Sequence, residues 1–293
     1  MLKAFLISAR PAQWVKNLIV FAALVFSLEY TNPAKIGLAA LAFVAFCLGA
    51  SSVYFINDVF DRENDKRHPL KSRRPIASGA LPIAVAIATS VFLLSGGLML
   101  SFVVNSETLL ILAIYVMLNF LYSVLLKHIV IIDVMTIAAG FVLRAVAGGL
   151  AISVPISPWL LVCTTLLALF MGFGKRRHEL SLLTDGAISH RKALQNYSIP
   201  FLDQMISVVT ASTVVAYAFY TLSPDVEQRF GTKWLSLTIP FVLYGIFRYL
   251  FLIFHREEGG SPTRLLLTDP PLLLCVMLWL VTVILVINLV RFD

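Results

Sequence analysis

Apolar positions run along this chain in long, nearly unbroken blocks, and the polar positions gather in the gaps between them. A block of about 20 mostly apolar residues is long enough to cross a bilayer as a helix. On that measure the pattern predicts nine spans, at 12–30, 34–56, 80–104, 108–126, 129–151, 157–175, 201–222, 234–254 and 270–290. Pro33, Pro82, Pro155, Pro158, Pro200, Pro270 and Pro271 lie near the starts of blocks, where a first-turn proline is tolerated. Neither an internal repeat nor a low-complexity tract breaks the series. The reading is one all-α, polytopic membrane domain over residues 1–293.

Composition strengthens this reading. The chain is 59% hydrophobic and 13% charged, against about 25% charged in a typical soluble domain. The N-terminal run "MLKAFLISARPAQWVKN" places Arg10, Trp14, Lys16 and Asn17 where the core of a signal peptide is apolar, so it reads as an amphipathic lead-in to the first span. With a cytoplasmic N-terminus, 17 of the 23 Lys and Arg residues fall on the cytoplasmic side, 4 fall opposite, and Arg144 and Arg248 lie inside spans. That asymmetry fits the positive-inside rule. Topology therefore accounts for the net charge of +7, and no nucleic-acid partner is implied. Cys47, Cys163 and Cys275 sit apart in apolar runs and read as packing residues.

The stretch "NDVFDRENDKRHPLKSRRPIASG", from Asn57 to Gly79, departs from the pattern. The positive-inside rule accounts for its Lys and Arg but not for Asp58, Asp61 and Asp65. At about 100° per helical residue, these three fall within about 60° of one another. Like charges held so close repel, and a bound cation relieves the conflict. Hard oxygen ligands suit Mg²⁺, which commonly takes one or two carboxylates together with phosphate oxygens. The blander alternative is a solvated helix end, with Arg62 and Lys66 pairing the aspartates. The cations that follow, stiffened by Pro69 and Pro75, favour a diphosphate ligand.

The pattern N-D-x-x-D-x-x-x-D followed by H-P-x-K-x-x-R-P-I-A-x-G resembles the first signature of the UbiA-type intramembrane prenyltransferase superfamily. The resemblance implies nine helices around a cytosol-facing cavity, and Mg²⁺ holding a diphosphate during group transfer. The second motif departs from the usual acidic D-x-x-x-D: it reads "MGFGKRRHEL", with Lys175, Arg176, Arg177 and Glu179. A basic second pole suits a further phosphate. "RPAQWVKN", the stretch from Tyr122 to Gly149, and "GKRRHEL" are similar to one branch, whose members move phosphoribosyl from phosphoribosyl pyrophosphate to decaprenyl phosphate for cell-wall arabinan precursors.

For the site, the resemblance implies catalytic Asp58, Asp61 and Asp65, with Asp58 and Asp61 as metal ligands. Substrate contacts fall on Lys16, Asn17, Asn57, Lys71, Arg74, Tyr122, Lys127, Asp133, Lys175, Arg176 and Glu179, with Glu179 orienting Lys175. His68 and His128 read as hydrogen-bonding residues. Arg144 is either functional or a structural pin. Asp133 reads as a contact of Lys127 or of the sugar, and Arg248 as snorkelling toward the cytosol. The implied partners are phosphoribosyl pyrophosphate, a polyprenyl phosphate and membrane lipids, in the plasma membrane; a homo-oligomer is compatible with the chain. Two alternatives are an isoprenyl transferase acting on an aromatic or small acceptor, and a lipid transporter. The absence of second-motif aspartates weighs against the first. The gathering of charge at one face weighs against the second.

Overall fold

The computed structural model describes residues 1–67, 69, 71–184, 194, 196–256 and 259–289. His68, and the Arg191, Lys192 and Arg291 of the charge tally, lie outside the described residues. Every regular element among the described residues is helical. The chain divides into two compact units, Met1–Ser157 and Pro158–Asp293.

The first unit opens with α1 (Leu2–Ala9), a 3-10 segment (Pro11–Phe21) and α2 (Ala22–Phe26). Then come α3 (Pro33–Phe60), α4 (Arg62–Lys66), α5 (Ile83–Val104), α6 (Ser106–Val124) and α7 (Ile132–Ala151). Asn32 caps α3, its side chain accepting from Ala34 N and Lys35 N. Asn105 caps α6 and donates to Leu150 O at 2.9 Å. Small residues bring α3 and α5 together: a Cβ on Gly97 would stand 3.0 Å from the Ala45 carbonyl oxygen. In a membrane, close backbone packing of this kind replaces the hydrophobic effect between helices.

The expected first span folds unlike the others. Eight helical runs among the described residues are long and apolar enough to cross a membrane, and Pro11–Phe26 is shorter. Its 3-10 part is extended, however. At about 2.0 Å rise per 3-10 residue and about 1.5 Å per α residue, the run reaches about 30 Å, close to the thickness of a bilayer core.

The 3-10 form follows from what it packs against. Residues three apart eclipse in a 3-10 helix, so Trp14, Asn17 and Val20 share one edge. Trp14 Nε1 donates to Ser51 Oγ at 3.0 Å, and Asn17 Nδ2 donates to Cys47 Sγ at 3.2 Å. Arg144 Nε donates to Asn17 Oδ1 at 2.6 Å. The Val20 carbonyl lies so close to Gly148 that a Cβ there would be 2.0 Å from its oxygen. Ser51 and Cys47 are four apart on α3, and Arg144 and Gly148 are four apart on α7. Three 3-10 residues and four α residues both rise about 6 Å, so the edge stays in register with both helices.

Arg144, expected as either functional or structural, is buried within this packing. Besides Asn17 it donates to Gly140 O at 2.8 Å and to the Tyr115 hydroxyl at 2.6 Å. Its guanidinium also lies over the Tyr115 ring, 4.6 Å from the centroid. It ties α6, α7 and the 3-10 segment together.

The second unit holds α8 (Pro158–Thr184), α9 (Ile199–Leu222), α10 (Pro224–Phe230), α11 (Ile239–His255), α12 (Pro262–Thr268) and α13 (Pro270–Leu289). α8 packs on α9, and α11 on α13. Tyr217 accepts from Trp279 Nε1 at 2.8 Å and shares a hydrogen bond with Thr238 at 2.7 Å. Arg248, expected to snorkel, grips Asp269 at the start of α13 with two hydrogen bonds of 3.1 and 2.7 Å. Asp269 also accepts from Leu272 N at 2.9 Å and so caps α13.

Two predictions follow from this packing. Gly148→Ala is expected to cost roughly 1–3 kcal/mol by overpacking, read as a lowered thermal unfolding temperature in detergent. Gly37→Ala, where a Cβ meets nothing within 4 Å, serves as the neutral comparison. The Arg248 hydrogen bonds hold the Asp269 carboxyl below its ordinary pKa. The stability this contributes is present above the unfolded value of about 3.9 and is lost as pH falls through the lower folded value. Asp269→Asn is therefore expected to make the loss of thermal stability below about pH 4 shallower than in the unaltered chain.

Candidate functional site

α3 runs four residues past its expected end, so Asn57 and Asp58 lie on its last turn. Asp61 closes α3 and opens α4, whose Asp65 is buried. The helix break changes how the aspartates are shared. Asp58, with its side chain 3% exposed, takes Arg10 Nη2 and Arg74 Nη1 on the same oxygen, Oδ1. The Arg74 nitrogen lies 3.0 Å from Asp58 and 2.7 Å from Asp65. Asp61 meets Lys127 instead, at 2.9 Å. The structure thus joins Asp58 with Asp65 across one cation, where a continuous helix had predicted a single face for all three. Arg62 and Lys66, the partners named by the blander reading, pair with Glu63 at 3.1 and 2.8 Å.

Arg74 is presented by a loop with an apolar anchor. After a 3-10 turn (Lys71–Arg73), Ile76 and Leu81 bury against Ala9, Phe55 and Ala86. Ser78 N donates to the Arg74 carbonyl at 2.8 Å. Gly79 turns the chain at φ 79°, a conformation that glycine adopts without strain.

The other expected residues of the first unit distribute around this centre. Asn57 Oδ1 accepts from Ser123 Oγ, on α6. Lys127 reaches Asp61 rather than Asp133, which is buried near the start of α7. Asn17 is 1% exposed, and its amide serves Cys47 and Arg144. Lys16, Lys71 and Tyr122 are half-buried, and His128 is exposed.

Sequence reasoning left Arg10 and Ser123 out of the site. Arg10 enters the sequence reading as a charge of the lead-in and as the first residue of "RPAQWVKN", not as a site residue. The signal available was its place before Pro11, at the junction of the amphipathic lead-in and the first apolar block.

In the second unit the basic motif lies within α8, which continues nine residues beyond its expected end. Arg176 has a side chain 1% exposed and donates to Glu179 at 2.5 Å. Lys175 stands 3.7 Å from Glu179. Arg177 turns elsewhere, to Asp203 at 2.6 Å and over the Phe254 ring at 4.4 Å. The motif is therefore two devices: Glu179 organises Lys175 and Arg176, while Arg177 ties α8 to α9.

The donor set can be tested for a metal. Among the described residues no group of three His, Cys, Asp or Glu side chains converges as a metal cage. Asp58 and Asp65 do share one positively charged nitrogen. Two carboxylates around a cationic point, with all-oxygen donors, match the protein share of a Mg²⁺ site that is completed by phosphate oxygens. The residues fit such an ion.

The sequence profile of the UbiA prenyltransferase family matches residues 18–268. The chain is 33% identical over 287 residues to a decaprenyl-phosphate phosphoribosyltransferase of Mycolicibacterium smegmatis, covering 94% of this chain and 90% of that one. A protein of the same description from Corynebacterium glutamicum is 33% identical, covering 95% and 85%. In fold the chain is similar to the solved structure of a UbiA homologue from Archaeoglobus fulgidus bound to GPP and Mg²⁺. The TM-score is 0.73 at 18% identity, over 97% of this chain and 99% of that one.

Glu179→Ala is expected to lower stability by about 1–3 kcal/mol, since it takes an acceptor from a buried guanidinium. Lys175→Ala, at the longer contact, is expected to cost less than about 1 kcal/mol. Chemical denaturation in mild detergent reads the difference.

Proposed function

The chain belongs to the UbiA prenyltransferase family, and from that premise we propose that it transfers phosphoribosyl from phosphoribosyl pyrophosphate to a polyprenyl phosphate, decaprenyl phosphate by relationship, releasing pyrophosphate. The observation that carries the choice of donor is the second motif. A basic Lys175–Arg176 pair organised by Glu179 stands there in place of aspartates. The relatives at 33% identity bear the corresponding description, which supports the same reading.

Donor and acceptor together bring a pyrophosphate and two further phosphates, and the chain answers with cations. In this reading Asp58 and Asp65 hold the divalent cation, Mg²⁺, with Asp61 beside them on Lys127. When bound, such an ion stabilises the charge that develops on the leaving pyrophosphate. Lys71, Arg74 and Lys127 take pyrophosphate oxygens, and Lys175 and Arg176 anchor another phosphate. Asn57, its carbonyl oxygen fixed by Ser123, turns its amide donors to the donor substrate. Tyr122, Asp133 and Lys16 contribute further substrate contacts.

The C1–O bond to pyrophosphate breaks through an oxocarbenium-like state. A phosphate oxygen of the acceptor bonds to C1 from the opposite face, inverting that carbon. The acceptor is ionised near neutral pH, so no side chain has to remove a proton. We read both compact units as one transferase domain in the plasma membrane, with the N-terminus cytoplasmic.

Membranes containing the protein, given labelled phosphoribosyl pyrophosphate and decaprenyl phosphate, are expected to form an acid-labile ribosyl lipid only with a divalent cation present. Asp58→Asn is expected to lower the rate more than 100-fold, the scale of losing a metal-dependent charge stabilisation. No ribosyl lipid, with label transferred in a parallel assay given labelled isoprenyl diphosphate and an aromatic acceptor, would assign the chain to the other activity of its family.

A further inference from the structure

Asp58 Oδ1 carries two guanidiniums, and one of them, Arg10, belongs to the N-terminal lead-in rather than to the aspartate motif. Arg10 is placed there by several independent features. Its backbone is left-handed, φ 52° and ψ 57°, between α1 and the 3-10 segment. The carbonyl before it, Ala9 O, accepts from Ser51 Oγ at 2.9 Å, and the same Ser51 oxygen accepts from Trp14 Nε1 at 3.0 Å. The guanidinium lies over the Tyr54 ring, 4.9 Å from its centroid. A non-glycine residue keeps a left-handed backbone where its surroundings over-determine it, and such positions gather at ligand sites.

Charge counting says what Arg10 does there. Asp58, Asp61 and Asp65 are met by Arg10, Arg74 and Lys127, so these six groups are neutral together. A divalent cation joining them alone adds two positive charges beside a carboxylate 3% exposed, where water screens the excess weakly. A diphosphate arriving with the cation cancels that excess. It also supplies a new partner for a guanidinium displaced from Asp58, in the forked geometry that arginine favours on phosphate.

We propose that Arg10 is an exchange ligand: it holds Asp58 Oδ1 until cation and diphosphate arrive, then passes to a diphosphate oxygen, so that the two load as a linked pair. This rests on the diphosphate-site reading above and adds to it a binding residue and a binding order. The Tyr54 ring keeps the guanidinium over the site during the exchange.

The test uses the purified full-length protein in detergent, with Mn²⁺ as the probe cation and inorganic pyrophosphate as the probe anion. Bound Mn²⁺ is read by electron paramagnetic resonance and corrected for the complex the two form in solution. In the unaltered protein, pyrophosphate is expected to tighten Mn²⁺ binding at least tenfold. Arg10→Asn retains a residue that tolerates the left-handed backbone and removes the guanidinium. It is expected to bind Mn²⁺ alone several-fold more tightly, with the pyrophosphate enhancement reduced to less than threefold. Arg10→Lys, which keeps the charge, is expected to fall between the two and supplies the same readout if the Asn variant does not fold. An unchanged Mn²⁺ affinity or an undiminished enhancement in these variants overturns the role of Arg10 and leaves the diphosphate site standing. An unaltered protein that binds neither Mn²⁺ nor its pyrophosphate complex overturns the site reading, and this inference with it.

Discussion

A carboxylate removed from water has to be met by cations, and Asp58 draws the first unit of this chain together around that requirement. With its side chain 3% exposed, it is reached by Arg10 from the N-terminal lead-in and by Arg74 from the loop after α4. Removing one partner of such a contact leaves a charge stranded in a low dielectric, which costs more than the contact itself contributes. Both segments are therefore obliged to return to the end of α3. The apolar anchor of Ile76 and Leu81 and the Trp14–Ser51 hydrogen bond hold them there. The site is thus a consequence of charge balance as much as of chain topology.

A second constraint comes from the membrane. Backbone and side-chain polar groups inside a bilayer must find partners within the protein. The 3-10 segment meets that demand by keeping step with its neighbours: its three-residue repeat and the four-residue repeat of α3 and α7 have the same rise of about 6 Å. Trp14, Asn17 and Val20 fall in turn against Ser51, Cys47 with Arg144, and Gly148. This register carries Arg10 to Asp58 at one end and holds Lys16 between two anchored positions. Arg144 ties this arrangement together through its hydrogen bonds to Asn17, Gly140 and Tyr115.

Much of this was legible in the chain itself. Long apolar blocks announced the helices, and the match is closest where nothing interrupts them, as at Pro270–Leu289 and Ile199–Leu222. The aspartate motif and the basic second motif were legible as chemistry, because residue type and spacing carry it. Two boundaries were misread for one reason: α3 and α8 continue beyond their apolar stretch into charged residues. Hydropathy marks where a helix leaves the membrane, not where its hydrogen bonding ends.

Sequence by itself determined the fold class, the family and the ligand chemistry the two motifs favour, since hydropathy and residue type are local properties. Tertiary structure alone decided the partners. Arg74 comes from the loop after α4 to join Asp58 with Asp65, while Asp61, at the helix break, goes to Lys127. Lys127 reaches back 66 residues to Asp61. Arg248 closes on Asp269, and Arg10 comes from the far end of the unit to Asp58. Such pairings depend on which charges the packed helices bring within about 3 Å of each other, and no spacing along the chain encodes that distance.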